Sequence, residues 1–371
     1  MNTKAIDAIA NAVLYEGYML YPYRPSSVKN RQRFNFGVLY PRSYSDAQTG
    51  SDAWSMQTEC LVEGDSRSSI EISVRFLKMV NRSVWKRIYA PRSTTEPEFE
   101  SVATLEVGAK TYVPWQEATE CEVSVPVSGL DSLTLDSRTT TPVRWSFEFP
   151  AKEKSEYLYS GATEAKSSAT TSTEVVGVIK RTEAAISGAV ELSAERAAQD
   201  VFKVAVRVRN LTQFEMQSEN AARHSQRADV LMQSMVSTHI VLHAADGQFV
   251  SLLEPVDRFK DLAASCRNVG SWPVLVGAEG DRSLLLASPI ILYDYPQIAP
   301  ESPGDLFDGL EIDEILALRI MTMTDAEKSE MRDSDERARK ILERTETLPM
   351  EHLVKLHGSL RELHPLKEEM P

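Results

Sequence analysis

The chain has 371 residues, 42% of them hydrophobic and 26% charged, and a net charge of −13. That is enough apolar material for one or two cores, and two domains plus a tail is the natural division. The acidic balance excludes a nucleic-acid backbone as the main partner, because phosphate and protein would repel.

The charge is uneven. Residues 301–371 carry 18 acidic and 10 basic side chains, whereas residues 1–41 carry five basic and two acidic ones. An acidic tail favours solubility first and a basic partner second. The three cysteines, Cys60, Cys121 and Cys266, lie far apart. They lack the paired spacing of a disulfide framework or a zinc site, and they fit a reducing, cytoplasmic setting. No run approaches about 18 consecutive apolar residues, so no membrane span is expected. Ile6, Ile9, Ala10, Val13 and Leu14, broken by Asp7 and Asn11, follow helical spacing and not that of a secretory leader.

In chain order, residues 4–16 read as an amphipathic helix that Gly17 can end. Two prolines then make residues 18–25 extended or turning, ahead of a basic stretch reaching Arg33. From about residue 54 the period becomes two. Ile70, Ile72, Val74 and Phe76 alternate with polar residues, as do the apolar positions of 121–127 and 143–149. Strands covered on one face alternate in this way, and antiparallel sandwiches are built from them. Residues 151–172 are rich in Ser, Thr, Ala and charge, and read as a linker or exposed loop. Alternation resumes at 186–192 and 202–208, with a polar helical insert near 214–236. Asp246-Gly247, between two apolar runs, suits a tight hairpin turn. Beyond Gly309 the period is helical, and Thr324-Asp325-Ala326-Glu327 has the form of a capping box. The expected fold is mostly β: an antiparallel sandwich-like body, of one or two sandwiches, with an N-terminal helix and an α-helical C-terminal tail. The expected domains are residues 1–150 and 173–310, joined by 151–172 and followed by an acidic helical tail at 311–371.

Candidate chemistry is sparse. His239 and His243 stand four apart, but in a strand that separates them by about 13 Å, too far to share a metal. Ser26-Ser27-Val28-Lys29 has the S-x-x-K form without its companion motifs. No phosphate-binding glycine loop or G-x-S-x-G elbow occurs, and no catalytic, cofactor or metal residue is assigned. Two stretches have the composition of partner surfaces. One is basic and aromatic, around Arg24, Arg31 and Arg33. The other, residues 289–314, combines four prolines with Tyr293, Tyr295, Asp305, Phe307 and Asp308. Prolines reduce the entropy lost on docking, tyrosines supply contact area, and carboxylates steer basic partners. The same acids also give the segment the composition of a hard-cation loop. Packing between the β body and the tail would explain the aromatics equally well.

The strings QSMVSTHIVLHAADGQFVSLLEP, CRNVGSWPVLVG, ASPIILYDYPQIAPESPGDLFDGLEIDEIL and ERTETLPMEHLVKLHG lie within residues 233–360. That region, with the earlier YMLYPYRPSSVKNRQRFNFGVLYP, resembles an uncharacterised bacterial protein family associated with NiFe-hydrogenase gene clusters, chiefly those of the high-affinity actinobacterial type. The resemblance implies a non-enzymatic accessory, scaffold or assembly role, with a hydrogenase subunit or maturation factor as the protein partner. It transfers no catalytic residue. The alternative expectation is a metal carrier or enzyme using the acidic 289–314 segment.

Overall fold

The computed structural model describes residues 3–349 apart from 17, 21–22, 28, 32, 34–35, 49, 51, 90–96, 109, 135–140, 161–173, 216–222, 298–312 and 335. For residues 3–6, 31, 223–226 and 313–314 it describes the backbone alone. Helix α1 (Thr3–Tyr15) and the short α2 (Arg42–Ala47) precede one very long strand, β1 (Ser55–Ile88). Then come β2 (Glu98–Val102), β3 (Leu105–Val107), β4 (Lys110–Tyr112), β5 (Trp115–Gly129), a single helical turn α3 (Leu130–Leu133), β6 (Val143–Phe149) and β7 (Lys152–Tyr159). The second half adds β8 (Val175–Glu183), β9 (Ile186–Ala198), β10 (Val201–Asn210), α4 (Arg223–Leu231), β11 (Val236–Val250), α5 (Lys260–Ala264), β12 (Trp272–Leu275) and β13 (Leu284–Ser288). Three helices follow: α6 (Asp313–Met321), α7 (Asp325–Ser334) and α8 (Glu336–Glu346). The protein is therefore mostly β and antiparallel, with helices at both ends, as the alternation predicts.

Strand β1 organises everything else. Its residues 55–63 pair with β10, 61–77 with β11, 69–82 with β5, 81–86 with β8 and 84–88 with β2. Eleven strands thus join one sheet, whose main path runs β12-β13-β11-β1-β10-β9-β6. This corrects the expected division. Strands from before and after residues 151–172 hydrogen-bond to the same strand, so that segment does not separate two β bodies. Residues 152–159 of the supposed linker are β7, paired with β8. The sequence hid this strand because it is exposed on both faces, with Leu158 alone buried.

The sheet curls over its own apolar face. Phe76 of β1 packs edge-on against Phe149 of β6, with ring centroids 5.5 Å apart, although β6 lies at the far end of the pairing path. Ile72, Val74, Leu192, Val204, Val206, Ile240 and Leu242 fill the space between. Each such side chain contributes about 1.5–3 kcal/mol on full burial.

Asp246-Gly247 does not make the expected hairpin, because β11 runs through it without reversing. Asp246 takes φ 53°, a left-handed conformation spent here on a bulge. Gly64 faces Gly247 and Ser69 faces Ala245, so β1 loops out residues 65–68 opposite Asp246. The Ser68 hydroxyl donates to the Asp246 carbonyl and accepts from the Asp65 N–H. Four extra residues preserve the alternation, so Val62 and Ile70 both face the core.

A second core lies on the outer face of β1. Leu77 and Met79 meet Leu14, Tyr18, Met19 and Tyr23 from the N-terminal segment, and Leu316, Ile320, Met331, Ile341 and Leu342 from α6–α8. The C-terminal helices are therefore docked against the sheet. Residues 350–371 lie outside the described residues.

Candidate functional site

The segment after β13 alternates between inward and outward side chains. Ile290 and Leu292 pack with Val13 of α1 and Val274 of β12. Between and beyond them, Ile291 is 71% and Tyr293 87% exposed. Asp294 then ties the segment to the edge of β12: one carboxylate oxygen accepts the Leu275 N–H at 2.8 Å and the other the Ser251 hydroxyl. The Tyr295 N–H donates to the Leu275 carbonyl at 2.7 Å. At the start, Pro289 sits against Gly37, where an added Cβ would lie 2.5 Å from the proline ring. An exposed aliphatic–aromatic pair is thus displayed on a backbone fixed at both ends.

Tyr295 behaves differently from Tyr293. It has φ 55° and packs its ring against the main core, and burial together with Asp294 raises its phenol pKa. Asp294 is engaged through both oxygens and is not an open ligand. Asp305, Phe307 and Asp308 lie outside the described residues.

The basic stretch is structural where it is described. Arg33 is 4% exposed, which corrects its expected place on a partner surface. Its guanidinium stacks 3.6 Å from the Trp115 ring and donates to the carbonyls of Tyr18 (2.7 Å) and Gln116. A planar five-donor fork suits such stacking with simultaneous donation, so the cation is used up inside the fold. Arg24 pairs with Glu327 of α7, and Ser26 donates through its N–H and hydroxyl to Glu330 at 2.7 and 2.9 Å. Ser26 is therefore held by a carboxylate. The side chain of Arg31 is outside the described residues. Arg337 of α8 adds a second tie, donating to Tyr15, which in turn donates to Glu120 of β5.

The histidines do not form a pair. His239 is fully buried, with Nδ1 3.0 Å from the Ser237 carbonyl, and Nε2 has no hydrogen-bond partner among the described residues. Burial, reinforced by the charge of Arg75, pushes its pKa down to about 4. His243 instead lies 3.6 Å from Glu71. All three cysteines are free thiols. Burial pushes Cys121 and Cys266 up to about 11 and raises Cys60 further, so none is a ready nucleophile. Among the described residues, no three His, Cys, Asp or Glu side chains are grouped to hold a metal.

Sequence reasoning missed a buried ion network. Lys78, 1% exposed, donates to the Pro150 carbonyl at 2.7 Å and pairs with Glu183 at 3.1 Å. Arg82 reaches the Val113 carbonyl, Glu117 and the Ser334 carbonyl at the end of α7, and Glu117 also accepts from Arg181. These bonds pin the β6–β7 crossing, β8 and α7 to β1. A cation at a helix C-terminus is favourable in itself. The available signal was Lys78 and Arg82 continuing the core-facing alternation of Ile70 to Phe76. An open groove of about 540 Å³ lies above the network, between Thr119, Lys152, Lys154 and Arg181.

No protein-family model and no curated protein matches the chain. Among the described residues, no helix is long and apolar enough to cross a membrane.

Proposed function

We propose that this chain is a non-enzymatic accessory protein that docks a protein partner through Ile291 and Tyr293. The partner in this reading is a subunit or maturation factor of a NiFe-hydrogenase system. The observation that carries the docking role is the 87% exposure of Tyr293 on a backbone anchored through Asp294 and Tyr295. Tyrosine gives a large contact area at small entropic cost, and an anchored backbone loses little further freedom on binding. The hydrogenase assignment rests on the sequence resemblance of residues 233–360. The alternative, a metal carrier or enzyme using the acidic 289–314 segment, predicts a stoichiometric metal in the purified protein.

The test is affinity purification of the tagged chain from its native host under hydrogenase-inducing conditions, beside the Ile291→Ala/Tyr293→Ala variant. Hydrogenase components should co-purify with the wild type and be lost from the variant at unchanged melting temperature. Absence of such components from the wild-type eluate refutes the assignment, and an undiminished eluate from the variant places the interface elsewhere.

A further inference from the structure

The free edges of the sheet differ in how they are protected. The edge of β12 is covered by Asp294 and Tyr295. β7 carries Lys152 and Lys154, β2 carries Glu98 and Glu100, and β5 carries Glu117, Glu120, Glu122 and Pro126. Charges and proline on an edge deter further pairing. β6 carries two charges as well, Arg144 and Glu148, but sets them beside a row of aromatic side chains. Among the described residues it pairs with β9 alone and ends the strand path. Its core-side residues are Trp145, Phe147 and Phe149, all half-buried against the main core, and Val143 is 42% exposed. It therefore presents unpaired backbone beside incompletely covered aromatic rings.

The sequence of β6, VRWSFEF, is also self-complementary in the antiparallel sense. With Ser146 facing Ser146 of a second copy, Arg144 faces Glu148, Trp145 faces Phe147 and Val143 faces Phe149, each pair occurring twice by symmetry. Opposite residues of an antiparallel pair share a face. The two ion pairs then fall on the outer face and the aromatic and aliphatic pairs on the core face. All are favourable cross-strand combinations. Neither Arg144 nor Glu148 has an ion-pair partner among the described residues, so both are available.

We propose that β6 is a homodimerisation edge, joining two copies across a twofold axis into one continuous antiparallel sheet in the register centred on Ser146. This inference is independent of the partner reading above. An isologous edge closes on itself and leaves no further β6 edge exposed.

Sedimentation-velocity ultracentrifugation of the full chain over a concentration series tests it. The wild type should show a reversible monomer–dimer equilibrium. Arg144→Glu, or separately Glu148→Arg, turns both ion pairs into like-charge contacts and should weaken the dimer by about ten-fold or more. The double swap Arg144→Glu/Glu148→Arg restores the pairing with its sense reversed and should restore the dimer. Both positions are solvent-facing, and circular dichroism confirms folding of each variant. A wild type that stays monomeric into the millimolar range overturns the proposal. So does a dimer indifferent to the single reversals, or one that the double swap fails to rescue.

Discussion

Lys78 is the buried cation on which the β6–β7 crossing depends. Lys78→Met keeps the length and apolar stem of the side chain and removes the ammonium. The Pro150 carbonyl then loses its 2.7 Å donor and the Glu183 carboxylate its 3.1 Å partner. Pro150 is exposed, so water can replace the donor its carbonyl loses, whereas breaking a buried ion pair by removing one partner costs about 3–5 kcal/mol. Glu183 keeps 15% of its side-chain exposure and so retains some hydration, which places the expected loss at the lower end, about 3 kcal/mol. Adding Glu183→Gln removes the stranded charge and should recover about 1–2 kcal/mol, making the two substitutions strongly non-additive. Urea unfolding at pH 7, followed by circular dichroism and tryptophan fluorescence, measures both quantities. A Lys78→Met loss within about 0.5 kcal/mol, the range of a surface substitution, would refute the assigned role. Strict additivity in the double variant would refute the coupling.

Two further predictions follow from the same physics. His239 has a folded pKa of about 4 against 6.5 unfolded, so the unfolded chain binds the proton more readily. Its contribution is complete above pH 6.5 and falls away as the pH drops toward 4, by up to about 3 kcal/mol. His239→Gln should flatten that component of unfolding free energy between pH 7 and 4.5, and an equal fall in both proteins would exonerate this residue. Thr324 and Glu327 cap α7 reciprocally, the Thr324 N–H donating to Glu327 at 2.9 Å and the Glu327 N–H to the Thr324 hydroxyl at 3.3 Å. Thr324→Ala should cost about 1 kcal/mol in urea unfolding, and unchanged stability would show the cap to be idle.

Local pattern was enough for much of the fold. The capping box of α7 was legible because its bonds span only three residues. Arg33 was misread because a basic residue in a polar stretch looks the same whether solvated or stacked on Trp115, which lies 82 positions away. The buried roles of Lys78 and Arg82 were hidden for the same reason, since Glu183, Pro150 and Ser334 are remote in the chain.

By itself the sequence determined which residues of the alternating apolar runs, such as Ile70 to Phe76 and Phe202 to Val208, face inward, because alternation at period two is a property of the extended backbone. It also determined the helical character of both ends. Tertiary structure alone decided that β1 serves both halves as one spine, that charged β7 is a strand, and that Asp246-Gly247 makes a bulge and not a turn. These outcomes depend on which strands find each other across long separations. Pairing is made by backbone groups common to all residues, so local side-chain pattern carries little record of it.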